Sequence, residues 1–207
     1  MTAPIAIVDY GVGNLMSIAN MLKKAGFTST ITSDRDELSQ AEKLILPGVG
    51  AFDRAATRLR ETGLDDLVRT RAADGAWILG VCLGMQLLLD SSEEGTEAGL
   101  GLVPGAVRRF PSVVDERRLL IPHMGWNTVR RQEGHDGILP SVQDGSRFYF
   151  VHSFHAVPDD QADVFATSDY GVPFTSMVRH GRVIGAQFHP EKSHRNGMAL
   201  LSDFARQ

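Results

Sequence analysis

The sequence contains one cysteine, no long apolar run and no excess of basic residues. A single cysteine excludes an internal disulfide and a zinc site built from several cysteines. No apolar segment reaches the roughly 18 residues that a membrane-spanning helix needs, and no basic stretch followed by an apolar one opens the chain. A formal net charge of −4, spread along the sequence, argues against binding to a phosphate backbone. We therefore expect a soluble, cytoplasmic protein that contacts neither membrane nor nucleic acid.

Strand and helix patterns alternate over the first half of the chain. The segments that predict strands are 5–8, 27–31, 43–46 and 77–81, and those that predict helices are 15–25, 52–71 with a break at Gly63, and 83–89. Apolar runs of strand length and apolar residues at helical spacing underlie these assignments. The alternation predicts right-handed βαβ units and a parallel sheet whose functional loops follow the carboxyl ends of the strands.

The second half of the chain has a different pattern, of strands joined by turns. The predicted strands are 118–121, 147–152, 164–167, 174–179 and 182–188, and a closing helix is predicted at 197–206. We therefore predict an α/β fold with a mixed, largely parallel sheet, flanked by helices, and a more antiparallel C-terminal half. No linker or repeat marks a boundary, so residues 1–207 are predicted to form a single domain.

The lone cysteine lies where a predicted strand meets a predicted helix. Residues 80–84 read Gly-Val-Cys-Leu-Gly, so a glycine stands two positions away from Cys82 on each side. A strained strand-to-helix turn presents its central side chain outward, and glycines let the two elements approach closely. The N–H groups at the start of the helix favour a thiolate. A buried structural cysteine is the alternative, but the double-glycine turn favours a nucleophile.

His189 and Glu191 are the candidate base and the group that orients it. Residues 187–191 end the last predicted strand, where side chains two positions apart point to the same side. Their Cα atoms would lie about 6.6 Å apart, within reach of an imidazole–carboxylate hydrogen bond. A cysteine nucleophile needs a base to take its proton and to return one to the leaving group. His135 and His180, beside glycine and charged residues, are assigned to solvated turns instead.

Two turns are candidates for an oxyanion hole. Attack on an amide carbonyl places negative charge on its oxygen, which two N–H donors aimed at one point would stabilise. The N–H of Leu83, next after the cysteine, is the first candidate. Residues 46–50 end another predicted strand at the same sheet edge, and the N–H of Val49 or Gly50 is the second candidate. The alternative for this segment is an ordinary glycine turn.

Five segments of the sequence together resemble one enzyme family. Gly-Val-Cys-Leu-Gly-Met-Gln at 80–86 and Phe-His-Pro-Glu-Lys-Ser at 188–193 are similar to class I glutamine amidotransferases. The segments at 9–15, 46–52 and 122–127 resemble the glutaminase subunits of imidazole glycerol phosphate synthases. The resemblance implies a mixed α/β amidotransferase domain that docks on a (β/α)₈-barrel cyclase as a heterodimer.

The resemblance also implies roles for further residues. Those expected to bind glutamine are Gly48, Gln86, His152, Ser153 and Phe154. Those expected to face the cyclase are Asn14, His123, Trp126, Asn127 and Lys192. For His123 and Trp126 the alternative is a place in the core. The family often has tyrosine at the position of Phe154, so this chain lacks that hydroxyl while ring and backbone contacts can persist.

The predicted reaction is glutamine hydrolysis without metal or cofactor. Cys82 would attack the side-chain amide, and the ammonia would pass to the cyclase, which by resemblance makes imidazole glycerol phosphate and aminoimidazole carboxamide ribotide in histidine biosynthesis. One alternative is a stand-alone cysteine hydrolase such as a γ-glutamyl peptidase, against which segment 122–127 argues. The other is an idle binding module, against which intact Cys82, His189 and Glu191 argue.

Overall fold

Residues 5–135 and 137–207, which the computed structural model describes, form a large mixed sheet with helices on both faces. The strands are β1 Ile5–Val8, β2 Ser29–Thr32, β3 Lys43–Gly48, β4 Trp77–Cys82, β5 Ser91–Ser92, β6 Gly105–Arg109, β7 Val113–Val114, β8 Arg117–Arg118, β9 His123–Thr128, β10 Arg130–Arg131, β11 Arg147–His152, β12 Phe154–Pro158, β13 Val164–Asp169, β14 Pro173–His180 and β15 Val183–Ala186. The helices are α1 Leu15–Lys24, α2 Arg35–Ser39, α3 Phe52–Glu61, α4 Leu64–Ala73, α5 Leu83–Leu87 and α6 His194–Ala205. Short 3₁₀ turns cover Gln161–Asp163 and Pro190–Lys192.

The main sheet joins a parallel half to an antiparallel half. Its strands follow the order β2-β1-β3-β4-β15-β14-β12-β6-β5, with β13 on β14 and β10 on β13. The pairs from β2 to β15 are parallel, whereas β14 pairs antiparallel with β15, β12 and β13. Strands β9 and β11 form a separate antiparallel pair. The predicted mixed sheet, with its more antiparallel C-terminal half, is confirmed.

Two layers of core cover the two faces of the sheet. In β1, Ile5 and Ile7 pack with α1 and α6 on one face, and Ala6 and Val8 pack toward α2, α3 and α4 on the other. Because both faces are covered, the strands in the middle of the sheet are apolar throughout, as buried parallel strands are. This arrangement brings the carboxyl ends of β3, β4 and β15 to one edge.

The helices are short, and local sequence signals set their ends. Asp34 caps α2 by accepting the N–H groups of its first turn. The predicted break at Gly63 is present, since this glycine has a φ of 64° between α3 and α4. The longest helix, α6, has 12 residues, and no helix in the described parts of the chain has the length and apolar character to cross a membrane.

The second half differs from the prediction in several places. Strands are present at Gly105–Arg109, Arg130–Arg131 and Phe154–Pro158, where the sequence predicts none. The predicted strand at 118–121 is wrong, because only Arg117–Arg118 pairs there, in a small ribbon with Val113–Val114. His123–Thr128 is a strand that the sequence does not predict. Pro122 just before the strand obscures its pattern, as do Gly125 and Asn127 within it. Pairing with β11 supplies what local propensity lacks.

Candidate active site

Cys82 occupies a strained turn between β4 and α5. Its φ of 56° and ψ of −111° lie where side-chain-bearing residues are rarely found, and the residue is buried. A Cβ atom on Gly84 would fall 1.9 Å from the carbonyl oxygen of Leu46, and one on Gly80 would fall 2.6 Å from that of Gly84. The close approach that the glycine spacing predicts is therefore present, with backbone against backbone.

His189 and Glu191 contact each other, but through a geometry that differs from the predicted one. His189 Nδ1 lies 2.8 Å from Glu191 Oε1, and both side chains are buried. Strand β15 ends at Ala186, and Pro190–Lys192 is a 3₁₀ turn, so the prediction of an extended chain through Glu191 is wrong. Proline has a φ suited to the first position of a helical turn. The turn, and not strand spacing, brings the carboxylate back to the ring.

The surroundings of His189 favour its charged form. Burial lowers the pKa of the ring, but hydrogen bonds and charge interactions with Cys82 and Glu191 outweigh burial and raise this pKa to about 9. Because a carboxylate oxygen only accepts, Nδ1 carries the hydrogen given to Glu191, and Nε2 is left for the thiol. The second carboxylate oxygen, Oε2, is buried without a hydrogen-bond partner among the described residues.

Cys82 and His189 open into a pocket of about 410 Å³. The predicted site residues that line it are Val49, Gly50, Cys82, Leu83, Gln86, His152, Ser153, Phe154 and His189. Lys192, predicted at the partner interface, lines the same pocket and is exposed. The structure thus brings together residues from four separate segments of the chain.

The turn after β3 forms one wall of this pocket beside the nucleophile. Val49 is 45% exposed and Gly50 has a φ of 100°, a conformation that favours glycine. Behind them, the hydroxyl of the buried Tyr10 donates a hydrogen bond of 2.6 Å to the carbonyl oxygen of Pro47. The candidate oxyanion turn is therefore held from inside the fold while its tip faces the pocket.

Gly48 lies behind the pocket wall and not in its lining. It pairs with Cys82 in the register of β3 and β4, and a Cβ atom there would fall 2.7 Å from the nitrogen of Gly84. The lack of a side chain serves close packing against the elbow. The assignment of Gly48 as a substrate contact stays a prediction.

The carbonyl oxygen of Phe154 orients the opposite wall. It lies 3.2 Å from Gln86 Nε2 and 2.7 Å from His152 Nδ1, and a carbonyl can only accept. The side-chain oxygen of Gln86 consequently points away from this carbonyl. These two contacts use the backbone of Phe154 and not its ring. They do not depend on whether phenylalanine or tyrosine stands at this position.

His152 pairs with His123 across strands β9 and β11. Nδ1 of His123 lies 2.9 Å from Nε2 of His152. Since His152 carries its hydrogen on Nδ1, its Nε2 accepts from His123. Burial lowers the pKa of His123 to about 4 and that of His152 to about 3. Both rings are therefore neutral at neutral pH.

The residues predicted to face a partner divide into two groups. Asn14, Trp126 and Lys192 are exposed. His123 is only 3% exposed, so the interface assignment of its side chain is wrong and the alternative, a place in the core, is correct. Asn127 donates to the carbonyl oxygen of Asp169 and contacts His123, so its amide is used within the chain.

His135 also differs from its predicted environment. It is buried, with Nε2 positioned 3.1 Å from the carbonyl oxygen of Val164, so the prediction of a solvated turn is wrong. His180, by contrast, has an exposed side chain that contacts Asp163. Within residues 5–135 and 137–207, no three His, Cys, Asp or Glu side chains form a group that could hold a metal ion.

Comparison with known proteins identifies the family. The glutamine amidotransferase class-I family matches residues 6–207. The chain is 46% identical to imidazole glycerol phosphate synthase subunit HisH 2 of Pseudomonas aeruginosa, over 97% of this chain and 98% of that protein. It is 44% identical to the protein of the same name from Methanococcus maripaludis, over 98% and 99%.

The chain is a class-I glutamine amidotransferase of the HisH family. The predicted family and enzyme class are thus confirmed. Solved structures share the fold of this amidotransferase: one glutamine amidotransferase has a TM-score of 0.74 at 20% identity, covering 98% of this chain and 99% of its own. The PurLQS structure from Thermotoga maritima has a TM-score of 0.75 at 21% identity, covering 100% and 99%. At such identities the likeness concerns the fold.

An acidic residue that no sequence pattern predicts lies at the mouth of the amidotransferase pocket. Glu94 lines the pocket and accepts the N–H of Phe52, at the start of α3, at 3.0 Å. Partial burial raises the pKa of its carboxyl, an effect that the Phe52 N–H opposes. Glu94 lies in a polar segment without helix or strand period, so no pattern separates it from surface acids. Its role follows only from the folded chain.

Proposed function

We propose that this chain is the glutaminase subunit of an imidazole glycerol phosphate synthase. It hydrolyses glutamine and passes the ammonia to a (β/α)₈-barrel cyclase in a cytoplasmic heterodimer. The cyclase, which carries the lyase step, makes imidazole glycerol phosphate and aminoimidazole carboxamide ribotide for histidine biosynthesis. The observation that carries the proposal is the buried His189–Glu191 pair beside the strained Cys82 turn, in a chain 44–46% identical to relatives named as subunits of that synthase.

In the first half-reaction, the Cys82 thiolate attacks the side-chain carbonyl carbon of glutamine. A sulfur–carbon bond forms and negative charge moves to the carbonyl oxygen. Protonated His189 then gives its proton to the leaving nitrogen, the carbon–nitrogen bond breaks, and ammonia departs from a γ-glutamyl thioester. The pKa of about 9 for His189 suits this step, because the ring is charged at neutral pH and can act as the acid.

In the second half-reaction, water replaces the ammonia. His189, now neutral, takes a proton from the water as it adds to the thioester carbonyl, and the carbon–sulfur bond breaks to release glutamate. Glu191 keeps the ring oriented and stabilises its charged form through the 2.8 Å contact. In both halves, the N–H of Leu83 and that of Val49 or Gly50 would stabilise the oxyanion, each by about 3 kcal/mol.

The charges of the pocket support a free amino acid as substrate. Glu94 brings a carboxylate to the pocket mouth and Lys192 brings an ammonium group, which suit the α-ammonium and α-carboxylate groups of glutamine. Gln86 also lines the pocket. Its Nε2 donates to the Phe154 carbonyl, so its side-chain oxygen is left to accept a hydrogen bond from the substrate. A volume of about 410 Å³ leaves room for one such molecule.

A permanent complex has a chemical reason. Ammonia that reaches bulk water near neutral pH becomes ammonium, which has no lone pair for attack. Direct transfer to the cyclase avoids this loss. The exposed residues Asn14 and Trp126, from segments that resemble this family, are the proposed contacts with the cyclase, together with Lys192 at the pocket mouth.

The decisive experiment measures glutamine hydrolysis with and without the cyclase and its ribonucleotide ligand. We expect the complex with ligand to hydrolyse glutamine faster than the chain alone. Cys82→Ala should abolish glutamine-dependent synthesis but keep synthesis from added ammonium salts. Strong basal hydrolysis that the cyclase fails to change would refute the synthase assignment and favour a stand-alone hydrolase. Loss of both activities in Cys82→Ala would show structural damage and not removal of a nucleophile.

A further inference from the structure

Gln187 adjoins the nucleophile on the side opposite the oxyanion turn. Strand β4 lies between β3 and β15. Gly48 pairs with Cys82 on one side, and Ala186 pairs with Val81 on the other, so the next residue, Gln187, stands alongside the cysteine. Its side chain is fully buried, and Nε2 lies 3.9 Å from the sulfur of Cys82, within hydrogen-bond range for sulfur.

The orientation of the Gln187 amide is fixed by its neighbours. The Phe154 carbonyl can only accept, so Nε2 of Gln86 must face it. The same Nε2 lies 3.0 Å from the Gln187 side-chain oxygen, which must therefore be the acceptor. This leaves the Nε2 hydrogens of Gln187 directed at Cys82. One backbone carbonyl thus determines which end of a buried amide meets the sulfur.

We propose that Gln187 is a further catalytic residue, whose side-chain amide donates a hydrogen bond to the Cys82 sulfur and stabilises the thiolate. The inference rests on the proposed role of Cys82 as the nucleophile. Sulfur carries full negative charge before attack and again when it leaves the thioester, and almost none within the thioester. A donor aimed at the sulfur therefore favours formation of the thiolate before attack. It also favours departure of the thiolate from the thioester in the second half-reaction.

Packing alone does not account for this glutamine. A fully buried amide is costly unless it is hydrogen-bonded, and an apolar side chain of the same length would fill the space without that cost. Gln86 Nε2 has two hydrogens, and the Phe154 carbonyl accepts one while Gln187 Oε1 accepts the other. This acceptor role explains the oxygen of the Gln187 amide but not its donor. The donor directed at Cys82 is what an apolar residue would lack.

The test uses Gln187→Met, which keeps length and removes the donor. Since the chain has one cysteine, the rate of alkylation by iodoacetamide reports on Cys82 alone, and it can be measured across pH on the isolated chain. We expect this profile to move to higher pH, so that on its rising part the variant is alkylated up to about tenfold more slowly. In the complex, kcat for glutamine should fall about 10- to 100-fold, with KM changed less than about threefold.

Two further variants keep the test decisive. Gln187→Asn retains an amide that is one methylene too short to reach the sulfur, so its profile should move as that of Gln187→Met does, and it serves if the methionine variant fails to fold. Ser176→Ala is the matched control, because the Ser176 backbone accepts the Gln187 N–H while its buried hydroxyl has no partner in the described part of the chain. Its profile should match that of the unmodified chain.

An unchanged alkylation profile in a folded Gln187→Met or Gln187→Asn variant would overturn the inference and leave Gln187 a packing residue. A shifted profile would support it even if the cyclase failed to stimulate hydrolysis, because alkylation needs no partner. A failure of the synthase assignment is in this way distinguishable from a failure of the role given to Gln187.

Discussion

At the scale of single residues, the charge state of His189 controls the chemistry of the site. Its ring lies between the Cys82 sulfur and a buried carboxylate, and the negative charges of the thiolate and the carboxylate both favour the imidazolium. The stabilisation that this raised pKa gives the folded state is complete below the ordinary value of 6.5 and is lost as pH rises through about 9. The acid needed to release ammonia is therefore present across the neutral range.

Glutaminase activity should fall as pH rises through about 9, where His189 loses its proton. Glu191→Gln should move this alkaline limit to lower pH and reduce kcat, though less than Cys82→Ala does, because the amide keeps an oxygen for Nδ1 but not its charge. A kcat/KM profile from neutral to alkaline pH measures both effects. Asp163→Asn is the control, since it alters the contact between Asp163 and His180. His180 pairs with Val183, at the end of β15 away from the active site. An alkaline limit that stays in place in Glu191→Gln would contradict the charge argument.

Glu94→Gln should raise KM for glutamine about tenfold and change kcat little, because it removes the charge proposed to face the α-ammonium group but keeps an oxygen that can accept the Phe52 N–H. The companion substrate is the analogue that lacks the α-amino group. Wild-type enzyme should prefer glutamine over it, and the variant should lose most of that preference in steady-state kinetics. A variant that still discriminates fully would place the ammonium group elsewhere.

The sequence singles out some residues that the fold brings to the pocket and misses others for physical reasons. Cys82 and His189 stand in local patterns that state their chemistry, a double-glycine turn and an imidazole near a carboxylate. Glu94 and Gln187 have no such pattern, since their roles depend on which strands become neighbours. The resemblance alone assigns His123 to the partner interface. Its burial depends on tertiary contacts, such as the one with His152, that no local pattern reports.

At the scale of elements, backbone contacts between β3, β4 and α5 hold the elbow in place. Periodicity predicts these elements because buried parallel strands and the helices that cover them have strong apolar patterns. It fails for β9, which has a mixed pattern and is stabilised by pairing with β11. It also cannot predict the 3₁₀ turn at Pro190–Lys192, because proline is compatible with a strand end as well as with the first turn of a helix.

Gly84→Ala should destabilise the fold by about 3 kcal/mol and abolish glutaminase activity, because the new Cβ would meet the Leu46 carbonyl oxygen at 1.9 Å and neither backbone can move freely. Urea denaturation gives the free energy of unfolding. Gly26→Ala is the control: nothing lies within 4 Å of its Cβ, although its φ is +87°, so only the backbone strain of about 1 kcal/mol remains. Equal losses in the two variants would show that crowding at the elbow is not the cause.

At the scale of the whole molecule, the two halves of the sheet contribute different things to the pocket. The parallel half supplies Cys82, His189 and the turn proposed as the oxyanion hole, from adjacent carboxyl ends. The antiparallel half supplies the wall around Phe154, together with the buried His123–His152 pair. The pair ties the stability of the whole chain to pH.

Stability should fall on acidification below about pH 6.5, because the unfolded chain binds protons at His123 and His152 that the folded chain refuses until pH reaches about 4 and about 3. His123→Gln can still donate to His152 but removes one titrating group, so the loss of unfolding free energy between pH 6.5 and 4 should be smaller. Urea denaturation at several pH values measures this slope. The explanation fails if His123→Gln keeps the wild-type slope.

The contact between Gly84 and the Leu46 carbonyl also limits how such an enzyme can diversify. Nucleophile and oxyanion turn are separated by main chain only, so their spacing cannot be adjusted by exchanging one side chain for another. New substrates must be accommodated at the opposite wall and the mouth, where Ser153, Phe154, Glu94 and Lys192 present replaceable groups. Mutational libraries aimed at altered specificity should retain activity more often when they vary that wall than when they vary Gly48, Gly80 or Gly84.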